Sequence, residues 1–248
     1  TSQFTDFLNW QINKKKIDRE ESVNYRFKYS GISKANNYAI QISDKEKKRF
    51  KKNNDLFGFD WGYGLFKLKG CDFCDDIFAE TADIVFGDAW LDRYLDDGLG
   101  TNIVVTRTNS AERIIKAIQK KGKNKYINGT ANDASLSQMA GIRHRKIGIF
   151  YRIKYQKLKS WVPKKRSLKN FKHDEFDQMK SILRYKISEF SRTQFTNIST
   201  KKDIVLFVIA LLKFMSPYFL IYKSPKYKIL PNFIYLLFKK LKIIKKFI

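Results

Sequence analysis

Apolar and polar residues fall along this chain in short blocks whose spacing predicts its elements. Phe4, Phe7, Leu8 and Ile12 recur at helical spacing, so the first element reads as an amphipathic helix already in progress. That start, Thr1-Ser2-Gln3 without Met, carries the expectation of an upstream half against which the helix packs. After a charged turn at 13–21, two alternating runs at 22–29 and 37–42 read as strands. The lysine-rich run 45–52 reads as a solvated face. Phe57-Gly58-Phe59-Asp60-Trp61-Gly62-Tyr63-Gly64 interleaves rings with glycines, which lets backbone and flat rings both approach a ligand. A flavin ring suits such a loop, and core packing explains it equally well. Short apolar strands are expected at 82–86 and 102–106. Asn109 or Ser110 then caps a helix through Lys121, with Ile114, Ile115 and Ile118 inward and Gly122 as the stop. Strand, loop, strand, helix predicts an α/β fold (mixed α+β), in which ligands lie at strand ends.

The second half is helical in pattern and basic in charge. Runs 135–158 and 173–195 read as basic helices separated by Pro163. Ile204–Leu212 is apolar on all sides, stops at Lys213 and meets Pro217, which is too short and too interrupted to span a bilayer. The tail from Phe233 to Lys246 mixes aromatics, aliphatics and Lys239, Lys240, Lys242, Lys245 and Lys246. The formal charge of +26 is uneven: residues 1–140 carry net +4, and residues 141–248 net +22. The expected organisation is therefore a sheet-containing domain at 1–140, a basic, largely α-helical region at 141–202 and an apolar, lysine-rich tail at 203–248. Peripheral docking on an anionic membrane surface fits the tail, and so does a helical appendage packed on the first domain. Nucleic acid fits poorly, because the aromatics sit in apolar blocks rather than singly among the basic residues.

The candidate chemistry begins at Cys71 and Cys74, the two cysteines of the chain. A CxxC puts two sulfurs on one tight turn, half of a zinc or iron–sulfur ligand set. From 71 to 97 the neighbours in sequence are acids, with Arg93 the one base, and this disfavours a thioredoxin-like redox pair. Zinc completed by His144 and His173 has no recognisable ligand spacing. Buried, inert cysteines are the plain alternative. So few cysteines in 248 residues point to a reducing, cytoplasmic setting.

Read together, Cys71, Cys74 and Asp76, then Ala82-Asp83-Ile84, then Gly87-Asp88 and Trp90, resemble the C-terminal half of the coenzyme F420 hydrogenase/dehydrogenase beta-subunit family. The stretch from Gly100 to Thr108 resembles the strand that family places before its next helix. The resemblance implies an oxidoreductase subunit with a 4Fe-4S cluster and FAD, and coenzyme F420 in some members. It implies Cys71 and Cys74 as cluster ligands, with the others in a preceding half or ferredoxin-like domain, and a redox partner. Many bacterial relatives sit among polysaccharide-biosynthesis proteins. Gly87, Asp88 and Trp90 are the expected cofactor-binding residues, with Arg107 at a strand end to hold a phosphate or carboxylate. A different class also fits the residues: a non-catalytic, membrane-associated module whose CxxC holds zinc or nothing.

Overall fold

A computed structural model describes residues 2–13, 22–43, 47–122, 126–157, 161–165, 174–196 and 198–222. The elements in chain order are α1 (Ser2–Ile12), β1 (Ser22–Phe27), β2 (Ala39–Ser43), β3 (Lys48–Lys52), α2 (Lys69–Asp72), β4 (Ile84–Asp88), β5 (Asn102–Thr106), α3 (Asn109–Lys120), α4 (Ala131–Ser137), α5 (Met139–Ile142), α6 (Gly148–Lys157), α7 (Glu175–Gln194) and α8 (Lys201–Tyr222). The fold is mixed α and β, with a helical C-terminal region. The chain divides into two compact units. Unit 1 comprises Thr1–Tyr29, Tyr38–Cys74 and Gly148–Ile248, and unit 2 comprises Ser30–Asn37 and Asp75–Ile147.

Unit 1 is built on a three-stranded antiparallel sheet in the order β1-β2-β3. Central β2 buries Ala39, Ile40 and Ile42. The basic run expected to be merely solvated is the edge strand β3, with Ile40 opposite Lys51 and Ile42 opposite Arg49. Lysines on an edge block further strand pairing, so exposure and strand geometry coexist there. Phe4, Phe7, Leu8 and Trp10 of α1 are buried inside this unit, so its apolar face is covered by the described chain itself. Phe7 contacts Phe57, Phe66, Phe195 and Phe207 with ring centroids 5.4–6.2 Å apart.

The aromatic–glycine loop belongs to the same core. Phe57, Phe59, Tyr63 and Phe66 are buried, while Trp61 is 60% exposed. Gly58 has φ +77°, and a Cβ there would lie 2.4 Å from Leu65 Cδ1. The glycine answers a packing demand, and of the two readings of this loop the structure shows core packing.

Helix α8 shows why a run that is apolar all round can still choose a face. Ile204, Phe207, Val208, Leu211, Leu212, Met215, Tyr218 and Phe219 are buried at helical spacing, with Leu206, Ile209, Lys213 and Pro217 outside. The interruptions that argued against a bilayer span stand on the outer face. Phe214 stacks on Phe190 of α7 at 4.4 Å, and the Tyr218 hydroxyl donates to the Gly62 carbonyl at 2.9 Å. Residues 204–219 thus contribute to the core of unit 1. No helix among the described residues is long and apolar enough to cross a membrane. The lysines of the tail and His173 lie outside the described residues.

Unit 2 carries an antiparallel ribbon of β4 and β5, with Ile84 opposite Thr106 and Asp88 opposite Asn102. The cap of α3 is Thr108, whose hydroxyl accepts from the Ala111 amide, one residue before the expected Asn109. Gly122, at φ +67°, follows the helix end. Ala111 is the buried residue of α3, whereas Ile114 and Ile118 face outward, contrary to the expectation from periodicity. The expected helix at 135–158 is broken into α4, α5, a π-helical turn Arg143–Ile147 and α6. Thr130 and Asp133 form a reciprocal cap on α4, and Arg93 bonds Asp133 at 2.7 Å. Gly98 sits against the Ile32 carbonyl, where a Cβ would lie 2.2 Å from the oxygen.

Candidate functional site

The CxxC begins on α2. Its two middle residues face inward: Asp72 is 1% exposed, and Phe73 packs with Ile149, Ile153 and Tyr185. Of the flanking cysteines, Cys71 is exposed and Cys74 half-buried.

Asp72 organises what lies beneath the turn. Its Oδ1 accepts from Lys67 Nζ at 2.8 Å, and Arg192 Nη1 stands 3.9 Å from Oδ2. Its carbonyl accepts from Arg152 Nε at 2.8 Å, and Arg152 is 0% exposed. Arg192 and Ser188 of α7 both donate to the Lys67 carbonyl. Arg184 donates to the Trp61 carbonyl at 3.3 Å. Asp72 Oδ2 and Arg184 Nε are buried without a hydrogen-bond partner. Burial lowers the Lys67 pKa to about 8; Asp72 opposes that shift, and Arg152 and Arg184 reinforce it. The acids flanking the cysteines in sequence are thus only half of the electrostatic setting. Lys67 and Arg192 stand at the Asp72 carboxylate and Arg152 at its carbonyl, the two guanidiniums supplied from α6 and α7, more than 70 residues away. Sequence reasoning missed this group. Its one local signal was Asp72 itself, a carboxylate at the inward position of a turn, where burial demands cations.

In unit 2, Gly87, Asp88 and Trp90 stand together at the end of β4. Gln138 Nε2 donates to the Asp88 carbonyl at 2.8 Å, as does the Trp90 amide at 3.1 Å. A Cβ on Gly87 would meet Gln138 Nε2 at 3.6 Å, an ordinary contact, so internal packing does not require glycine there. Arg107 stands at the opposite end of the ribbon, about 13 Å of strand away. Its amide donates to the Asp83 carbonyl, and its guanidinium donates to the Phe78, Ala79 and Ala82 carbonyls at 2.6–3.1 Å. The structure brings Gly87, Asp88 and Trp90 together and leaves Arg107 apart from them, clamping the 78–82 loop. Asp76 organises the same loop, accepting from the Glu80 amide at 3.2 Å.

Among the described residues, no three His, Cys, Asp or Glu side chains gather as a metal site. The donor chemistry at Cys71 and Cys74 fits half of a tetrathiolate set: two thiols three residues apart, one exposed and one half-buried. Residues 2–131 match the family described as the C terminus of the coenzyme F420 hydrogenase/dehydrogenase beta subunit. The chain belongs to this family. No curated protein and no solved structure matches it. As a member of the F420 hydrogenase/dehydrogenase beta-subunit family, it is of a kind that works within a larger complex. The matched region holds both cysteines, Lys67, Asp72 and the whole β4–β5 ribbon. Arg152, Arg184 and Arg192 lie beyond it.

Proposed function

We propose that this chain is part of an iron–sulfur flavoprotein oxidoreductase of the F420 hydrogenase/dehydrogenase beta-subunit kind. Cys71 and Cys74 supply two thiolate ligands to a 4Fe-4S cluster, and ligands from outside the chain complete it. Gly87, Asp88 and Trp90 take part in binding FAD, where the absence of a Cβ on Gly87 admits close approach of a flat ring. Arg107 holds the 78–82 loop that follows the CxxC. When bound, the cluster supplies one-electron transfer to and from flavin. A redox partner and a polysaccharide-biosynthesis setting extend the reading on the resemblance alone.

The observation that carries this proposal is the CxxC turn itself. Its inner residues are buried, Cys71 is exposed and Cys74 half-buried, and it lies in a chain of the F420 hydrogenase/dehydrogenase beta-subunit family. The test is anaerobic purification from the native source with any bound partners retained, with iron, sulfide and flavin measured. Bound iron and released flavin are expected. Cys71→Ser and Cys74→Ser should each abolish the iron–sulfur absorbance while leaving the circular dichroism spectrum unchanged. A colourless, zinc-containing preparation, or iron content indifferent to both substitutions, would replace this reading with that of a structural module.

Peripheral membrane contact is a second proposal, favoured by Leu206 and Ile209 exposed on the outer face of α8 beside Lys213. Anionic vesicles should bind the protein at low salt and release it at high salt. Equal binding to neutral vesicles would sink it.

A further inference from the structure

The outer face of the β1-β2-β3 sheet combines rings with positive charge. Ile40 and Ile42 of β2 are buried in unit 1, and Lys51 and Arg49 stand opposite them on the same inner side. There Lys51 donates to the Gln11 carbonyl at 3.3 Å, and Arg49 to the Asn13 side chain at 2.9 Å. The alternate residues of β3, Lys48, Phe50 and Lys52, therefore point outward. All three are exposed, Phe50 by 50%. Phe50 stands opposite Gln41, which in turn stands opposite Asn24 of β1. The Phe27 ring lies 5.3 Å from Phe50, and Tyr29 stacks on Phe50 at 6.0 Å with an interplanar angle of 15°. Lys52 Nζ stands 5.3 Å over the Tyr29 ring. Residues 22–29 and 48–52 hold six basic residues and no acid. The sequence between β2 and β3, Asp44-Lys45-Glu46-Lys47, is neutral in sum.

We propose that this face binds single-stranded nucleic acid, with Phe50 as the ring on which a base stacks and Lys48 and Lys52 as its phosphate contacts. Such a platform needs rings set singly among basic residues, an arrangement that the aromatics of the basic second half lack. Arg26-Phe27-Lys28-Tyr29 and Lys48-Arg49-Phe50-Lys51-Lys52 have it. Lys48 and Lys52 are four residues apart on one strand, about 13 Å, with Phe50 midway. A phosphate can meet each lysine while a base lies on the ring between them. Phe27 and Tyr29 brace that ring, and Asn24 and Gln41 add amide donors and acceptors on the same face. Stacking is indifferent to base identity, because every base has a π face. A lipid surface would use the same lysines but asks for a broad apolar face. Among the described residues of this sheet, Phe50 is the one exposed large apolar side chain. The proposal stands apart from the reading of Cys71 and Cys74.

The test must separate this face from the general charge of the chain, since a net +26 attracts any polyanion. Fluorescence anisotropy of the full chain is followed with a labelled oligothymidylate about ten nucleotides long and with an abasic oligomer of the same length. The two probes carry the same phosphates and differ in their bases. The oligothymidylate should bind about tenfold more tightly than the abasic probe. Phe50→Ala should remove most of that advantage and leave the abasic affinity unchanged, while Phe50→Tyr retains it. Phe50 is half-exposed, so neither change opens the core. Lys48→Gln with Lys52→Gln should weaken both probes and lower the slope of log affinity against log salt by about 1.4, the loss of two single-strand phosphate contacts. Equal affinity for the two probes overturns the proposal, as does an oligothymidylate affinity indifferent to Phe50→Ala, which assigns the binding to the charge of the second half. Failure to bind oligothymidylate at physiological salt overturns it as well.

Discussion

In unit 1, Phe7 is enclosed by four other phenylalanines, whereas in unit 2 Phe86 is 64% exposed and Ile114 is 53% exposed. Among the described residues, the buried apolar side chains of unit 2 are Ala89, Leu91 and Ala111. It is held instead by directed polar contacts: Arg107 on three carbonyls, Gln138 on Asp88, Arg93 on Asp133, and the Thr130–Asp133 cap. Unit 1 draws its stability from removing area from water, and unit 2 from the geometry of individual bonds. The cysteines stand on the first kind of scaffold, and the glycine–aspartate strand end stands on the second. A rigid base suits groups that must hold a fixed spacing. A thinly packed ribbon suits a surface that is finished by something else.

This contrast can be broken most forcefully at α8. Deleting residues 203–222 should unfold unit 1, because Phe7, Phe66 and Phe195 lose Phe207. A native circular dichroism spectrum and a cooperative melt in the truncated chain would refute the assignment of α8 to the core. Next in size, Phe66→Ala should cost about 3–5 kcal/mol in urea unfolding, as filled aromatic sites do. The matching change in unit 2, Phe86→Ala, should fall within about 0.5 kcal/mol. Comparable losses at the two positions would erase the distinction. Between these, Arg107→Ala should destabilise unit 2 by about 1–2 kcal/mol and open the 78–82 loop to proteolysis. An unchanged cleavage rate would show that the clamp is idle.

Titration separates the units more gently. Lys67 has a folded pKa of about 8 against 10.5 unfolded, so between those values the unfolded chain binds more protons. Stability of unit 1 should therefore rise as pH climbs through that window, and Lys67→Met should flatten the rise. Asp133 carries the same sign in a lower pH window. Its carboxylate is held at about 2 by Arg93 and Thr130, so its contribution is present above 3.8 and lost as pH falls through 2. Amide exchange in α4 followed from pH 5 to 2 should show the loss, and Asp133→Asn should remove the dependence.

Local signals in the sequence located β1, β2, β4, β5 and α3, because alternation, cap-type residues at the helix start and a stop glycine act over a few residues. The CxxC was legible for the same reason. What stayed hidden depended on distant partners. Lys48–Lys52 reads as a charge run until β2 gives it a neighbour, and Ile114 reads as core until the thin packing of unit 2 leaves it outside. Phe57 and Phe59 read equally as cofactor walls or as core until α1 and its phenylalanines arrive. The basic group around Asp72 was invisible because Arg152 and Arg192 reach it from distant helices that the sequence marks only as basic.

Helix α1 also sets a timetable for the chain. Gln3 donates to the Arg192 carbonyl across 189 positions of sequence, and Phe7 waits for Phe195 and Phe207. Contacts of such separation close slowly, since the loop entropy is lost before the contacts are gained. During synthesis the phenylalanines of α1 and the 57–66 loop have only one another to pack against until α7 and α8 have been made. That interval is the period of greatest aggregation risk for this protein. Expression at low temperature, or with chaperones that shield aromatic segments, should raise the yield of folded chain more than any substitution on the surface of unit 2.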